Sequence, residues 1–113
     1  IEIKDIKQLE DYEYILGAEY SNTTKKLKSI FKENNLEMKI LITIDTTELR
    51  INAVKKGLGI SYVMKEAVQE ELKNKNVFEI KVPFDLPKSA IHLIYLKGYL
   101  SKADKVFIKK YLQ

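Results

Sequence analysis

Two short hydroxyl-rich stretches hold the residues best suited to receive a ligand: Ser21-Asn22-Thr23-Thr24 and Asp45-Thr46-Thr47. Each stands where an amphipathic segment begins, so free backbone N–H groups at a helix start would be available to an anion or a carboxylate. The same residue types cap helices with no ligand present, and that plainer role explains them at least as well on spacing alone. Asp45 works against an anion, because a capping carboxylate would occupy the N–H groups and repel it. His92 is the only histidine and there is no cysteine, so a transition-metal site would need carboxylates alone beside it. Within an apolar strand, His92 reads more simply as a satisfied or surface-facing residue. Catalysis by acid and base would want paired carboxylates in a pocket, or a serine beside a base. The acids here fall mainly on amphipathic helix faces, where solvation is the default. Tyr12, Tyr14 and Tyr20 lie near the first stretch, either as a pocket rim or as core residues with a wet hydroxyl. No cofactor and no enzymatic activity follow from these patterns.

The elements that must position these residues alternate along the chain. Ile1–Glu10 is a lead-in with at most one helical turn, and Tyr14-Ile15-Leu16 is a strand ended by Gly17. Ser21 to Thr24 opens a helix carrying Leu27, Ile30 and Phe31 on one face to about Glu33, where Asn34-Asn35 stops it. Glu37–Ile44 is a strand, and Asp45 with Glu48 three residues on resembles a capping box. The helix from about Thr47 to Lys56 is expected to pack Leu49, Ile51, Ala53 and Val54 against a sheet. Gly57 is expected to end it with positive φ, and Gly59 to turn the chain tightly into Ile60–Val63, a strand buried on both faces. The order helix, glycines, strand is the reverse of a phosphate loop, so Gly57-Leu58-Gly59 is not a nucleotide fingerprint. A third helix over Lys65–Asn74 places Val68 and Leu72 at i, i+4. Strands follow over 77–82, with Phe78, Ile80 and Val82 on one face, and over 90–96. Ser101 with Asp104 caps a last helix bearing Ala103, Val106, Phe107 and Tyr111. This β-α-β-α-β-α-β-β-α order predicts an α/β fold with a mainly parallel five-stranded sheet between two helical layers.

At 113 residues the chain has room for one domain, 1–113, with no repeat or linker inside it. Hydrophobic content of 45% and charged content of 32% are those of a globular protein. No apolar run approaches the roughly 20 residues that span a bilayer, and the alternating start Ile1-Glu2-Ile3-Lys4-Asp5 does not read as a signal peptide. A cytoplasmic location, away from any membrane, is expected. The net charge of +4 comes from 20 basic residues, almost all lysine, spread beside 16 acids. Specific DNA readers concentrate arginine and lysine on one element, so a solvated lysine-rich surface is the better reading. The chain starts at Ile1 rather than methionine, and is expected to be a piece of something longer.

A family resemblance joins these segments. Val54-Lys55-Lys56-Gly57-Leu58-Gly59-Ile60 resembles the Val-x-x-Gly-Leu-Gly-Ile segment of LysR-type transcriptional regulators, with Met64 where a proline is common. Ser21-x-x-Thr24-x-x-Leu27 resembles their Ser-x-x-Arg-x-x-Leu helix start, with threonine for the usual arginine. Ile91–Leu96 followed by Ser101–Tyr111 resembles their closing strand and terminal helix. The resemblance implies the second lobe of a type 2 periplasmic-binding-protein-like effector domain, with its return strand and terminal helix. It lacks the N-terminal helix-turn-helix and the first lobe, so DNA would be bound only through the missing part. A small-molecule effector would lie between the lobes, against Ser21, Asn22, Thr23, Thr46, Thr47 and Ser61 on this side. A homodimer would form through the helix Asn22–Glu33 and the strand Met38–Ile44. The alternative is a lobe of a solute-binding protein, which needs a secretion signal, or of a prephenate-dehydratase-like enzyme, which needs a threonine-centred motif stronger than Asp45-Thr46-Thr47. A free-standing interaction module would instead be a stable monomer.

Overall fold

The computed structural model describes residues 3–82 and 91–96. A 3-10 helix over Ile6–Asp11 leads into β1 (Glu13–Leu16), α1 (Asn22–Glu33), β2 (Lys39–Thr43), α2 (Thr47–Lys55), β3 (Ile60–Met64), α3 (Lys65–Lys73), β4 (Phe78–Glu79) and β5 (Ile91–Tyr95). The strands form one sheet in the order β2-β1-β3-β5-β4. β1 is parallel to both β2 and β3, whereas β5 is antiparallel to both β3 and β4. Four strands therefore share a direction and β5 alone opposes them, as it slots between β3 and β4. The expected mainly parallel sheet holds for the helix-connected strands, because a crossover through a helix returns the chain in the same direction. The expected helix after Ser101 lies outside the described residues, as do Pro83, Pro87 and Gly98.

Each face of the sheet carries its own apolar layer. Tyr14, Leu16, Ile60, Tyr62, Ile80 and Leu93 face Leu9 of the 3-10 helix and Leu27 and Phe31 of α1. Tyr14 and Phe31 meet edge to face with centroids 5.2 Å apart. On the other face Ile15, Val63 and Ile94 pack against Ile51, Ala53 and Val54 of α2 and Val68 of α3. The architecture is thus three-layer α/β/α. β3 lies at its centre, with Ile60, Ser61, Tyr62 and Val63 all buried, as the short, largely apolar run after Gly59 predicts.

The three α-helices among the described residues end in one way. Gly57, with φ of 76°, donates to the Val54 carbonyl, and Leu58 donates to that of Ala53. The same pair of bonds closes α1 at Asn35 and Leu36, and α3 at Lys75 and Asn76. Asn35 and Lys75 adopt φ of 53° and 59°. This is the Schellman arrangement, which turns the chain sharply while satisfying carbonyls the helix leaves free. Gly59 is needed for a different reason: a Cβ there would lie 2.7 Å from the Glu13 carbonyl oxygen, so β3 could not come alongside β1.

Two sequence expectations for α2 are corrected. Leu49 is 55% exposed, and Arg50 takes the inward position with Ile51, Ala53 and Val54. At about 100° per residue, Leu49 stands roughly 120° from the centre of that buried stripe. The capping box does not form either. The cap is Thr46, without a side-chain bond, which moves the third helical position from Glu48 to Leu49. A capping box is present instead at Asp5 and Gln8, ahead of the 3-10 helix.

Candidate functional site

β1 and β2 end side by side, with Leu16 opposite Thr43, and the amide of Ile44 donates to the Leu16 carbonyl at 2.8 Å. The loops that follow therefore leave from the same edge, at the carboxyl ends of parallel strands, where helix starts also gather. In the first loop the Ser21 amide bonds to the Ala18 carbonyl, and Ser21 caps α1. Its Oγ accepts from the Thr24 amide at 3.2 Å, donates to Thr24 Oγ1 at 2.9 Å and lies 3.2 Å from Thr23 Oγ1. Thr23 and Thr24 are buried, Ser21 half-buried and Asn22 exposed. In the second loop Asp45 and Thr46 are exposed and Thr47 is half-buried.

Arg50 joins the two loops. Its side chain, 4% exposed, folds back towards the start of α2. Nη1 donates to the carbonyls of Ile44 and Asp45 at 3.0 and 3.2 Å, and Nη2 donates to Thr47 Oγ1 at 3.2 Å. The guanidinium also lies against Gly17. A Cβ on that glycine would meet Nη1 at 2.7 Å and Thr24 Oγ1 at 3.3 Å, so the arginine and the threonine flank one bare stretch of backbone. Arg50 Nε has no hydrogen-bond partner among the described residues. Burial lowers the proton affinity of Arg50 and the charge of Asp45 partly restores it; a guanidinium remains charged at neutral pH regardless.

Of the residues singled out in the sequence, Thr47 bonds to Arg50, whereas Ser21 and Thr23 are linked to this contact only through Thr24, which flanks Gly17 beside the guanidinium; Asn22 and Thr46 are exposed in the same two loops. Ser61 stands apart. It is fully buried in β3, and its hydroxyl donates to the Ile15 carbonyl at 2.7 Å. From Thr47 a groove of about 540 Å³ runs between α2 and α3 past Asn52 to Lys55 and Glu71, whose charges are 3.3 Å apart. Sequence reasoning passed over Arg50, although its spacing to Ala53 and Val54 marks an inward position. The described residues include no group of three or more acids and histidines able to hold a metal ion. The His92 side chain lies outside what is described.

A profile of the LysR substrate binding domain matches residues 2–113. The chain belongs to this family. Neither the curated proteins nor the solved structures include a significant match. As a LysR substrate-binding domain with a three-layer α/β/α fold, the chain is an effector-binding lobe of a LysR-type regulator, of the type 2 periplasmic-binding-protein kind. The LysR substrate-binding domain is regulatory rather than catalytic in character. No helix among the described residues is long and apolar enough to cross a membrane.

Proposed function

We propose that this LysR lobe senses a small-molecule effector held against the loops after β1 and β2, and that occupancy is relayed to a DNA-binding domain elsewhere in a longer chain. The observation that carries the reading is that the loops holding Ser21, Thr23 and Thr47 leave one edge of the sheet and meet where Arg50 and Thr24 flank Gly17. Asn22 and Thr46 supply polar groups on the exposed side. Ser61 supports the site from beneath, through the Ile15 carbonyl. A ligand gripped between this lobe and a facing one biases the lobes towards closure, and only that differential affinity can move a distant domain. The chain is the second effector lobe with its return strand and terminal helix. It functions in the cytoplasm and carries out no catalysis. The amide of Ile3 donates to the Lys81 carbonyl at 2.7 Å, so the chain arrives in the lobe beside the segment that follows β4, a suitable place for a pivot.

The regulator is proposed to pair through α1 and β2. All five residues of β2 are exposed, including Ile40, Leu41 and Ile42 at 46–48%, which leaves an apolar edge strand uncovered on both faces. Uncovered strands of this kind are templates for association. The reading is tested by sequencing the gene upstream and by native mass spectrometry of protein purified from its own host. A helix-turn-helix within roughly 200 preceding residues and a co-purified small molecule are expected. An upstream secretion signal would instead favour a solute-binding protein and end the proposal.

A further inference from the structure

We propose that the groove between α2 and α3 is a second ligand site, apart from the effector loops, and that it takes an α-amino acid by its charged head. Its volume of about 540 Å³ is that of a small-molecule pocket. On α2, Glu48, Ile51, Asn52 and Lys55 follow at i, i+3, i+4 and i+7 and so share one face, about 10 Å long at 1.5 Å per residue. Ala67 and Glu71, at i, i+4, form the α3 wall. At one end the charges of Lys55 and Glu71 stand 3.3 Å apart, both side chains half-buried. The contacts of the Glu71 carboxylate fall on Oε2, from Lys55 and from the Asn76 amide at 2.9 Å, so Oε1 is left to accept. Lys55 has three protons to give and one acidic partner among the described residues. The Asn52 side chain, one turn before it, has no hydrogen bond among the described residues. An ammonium and a carboxylate on one carbon match this set, the first on Glu71 Oε1 and the second on Lys55 Nζ and Asn52 Nδ2. A ligand with only one of the two charges would desolvate the opposite protein charge without return. The ligand side chain then lies over Ile51, 5% exposed, in the space that Ala67 leaves open by ending at Cβ. Glu48 stands at the far end, exposed and without an ion pair among the described residues, and repels an acidic side chain. Thr47 alone is shared with the effector loops, and its Oγ1 already accepts from Arg50. The class that fits is an α-amino acid with an apolar or basic side chain.

The test is saturation-transfer NMR on the full regulator chain with L-leucine as the probe. 3-Methylbutylamine and 4-methylpentanoate, each lacking one of the two charged groups, and L-glutamate serve as controls. A saturable signal is expected with L-leucine, with binding about tenfold weaker or less for the single-charge analogues and weaker also for L-glutamate. Ala67→Leu fills the groove from an exposed position on α3, and should abolish L-leucine binding while the melting temperature holds. Lys55→Met should weaken L-leucine by about tenfold or more, since a hydrogen bond between charged groups is lost; it decides the matter if Ala67→Leu fails to fold. Glu48→Gln should bring L-glutamate up towards L-leucine. No saturable signal with L-leucine, or equal binding of either single-charge analogue, would overturn the proposal. Undiminished binding to folded Ala67→Leu or Lys55→Met would do the same, because the amino acid would then sit elsewhere, at the effector loops or on another surface.

Discussion

Tyr62 and Ser61, neighbours on the central strand, show how differently two buried hydroxyls can contribute. Ser61 completes a bond to the Ile15 carbonyl, so Ser61→Ala should cost about 1 kcal/mol in chemical denaturation. Tyr62 Oη has no partner among the described residues, and burial pushes its ionisation up to about 12. Because the folded state holds that proton more tightly than the unfolded chain, the contribution is complete below the ordinary tyrosine value of 10.0. It is lost as pH rises from there through about 12. Tyr62→Phe should therefore raise stability by about 1 kcal/mol at neutral pH and flatten the alkaline limb of a melting-temperature profile. An unchanged limb would place the alkaline transition on another group. The acid side has a counterpart in Glu71. The Asn76 amide, and then Lys55, hold its carboxyl below the usual carboxylate range. That stability is present above the unfolded value of 4.5 and is lost as pH falls through the folded one. Glu71→Gln should accordingly narrow the difference between urea midpoints measured at about pH 6 and about pH 3.

At the level of elements, the helix ends decide whether each strand leaves at the right angle. Three left-handed residues, Asn35, Gly57 and Lys75, make the same closing turn with different strain. A residue with a Cβ pays about 1 kcal/mol or more for that conformation, so Lys75→Gly should stabilise by about that amount and Gly57→Ala should destabilise comparably. Leu96 lies 3.3 Å from where the new methyl at Gly57 would sit. Gly59→Ala differs in kind, since its obstacle is the Glu13 backbone. A loss of about 1–3 kcal/mol is expected, visible as a lowered urea midpoint. Arg50 belongs to this scale too: it fastens the loop after β2 to the loop after β1, and so makes two helix starts into one surface. The family resemblance has an arginine at the position of Thr24. Here a guanidinium reaches the neighbourhood of that threonine from α2.

For the whole molecule, the consequential surface is the open edge of the sheet. The order β2-β1-β3-β5-β4 places an apolar strand at the rim, and neither helical layer covers it. If pairing through α1 and β2 is how regulators assemble, Ile40→Lys with Ile42→Lys should shift the full chain from dimer to monomer in sedimentation velocity. The proposed effector loops should remain intact, because the changes sit on the rim and not at the loops. A sedimentation coefficient unaltered by both charges would move the interface elsewhere.

Much of this was legible in the residues themselves. Alternating apolar periods, the polar stretches at Ser21 and Asp45, and glycines at 57 and 59 specify elements by local sterics and spacing, and their order specifies an α/β sheet. The Val-x-x-Gly-Leu-Gly-Ile segment indicated the family. Local rules fell short where neighbours in space compete. Leu49 and Arg50 are adjacent, and only the packing of α2 on the sheet shows that the charged one turns inward. The family resemblance put Ser61 beside the effector, and the parallel register of β1 and β3 puts the Ile15 carbonyl in reach of its hydroxyl. The reversed β5 likewise depends on where β4 comes to rest, which no single segment encodes. The sequence alone determined which stretches fold and which end in turns. Tertiary structure decided which polar group each buried side chain meets, because burial and hydrogen bonding are settled between elements far apart in the chain.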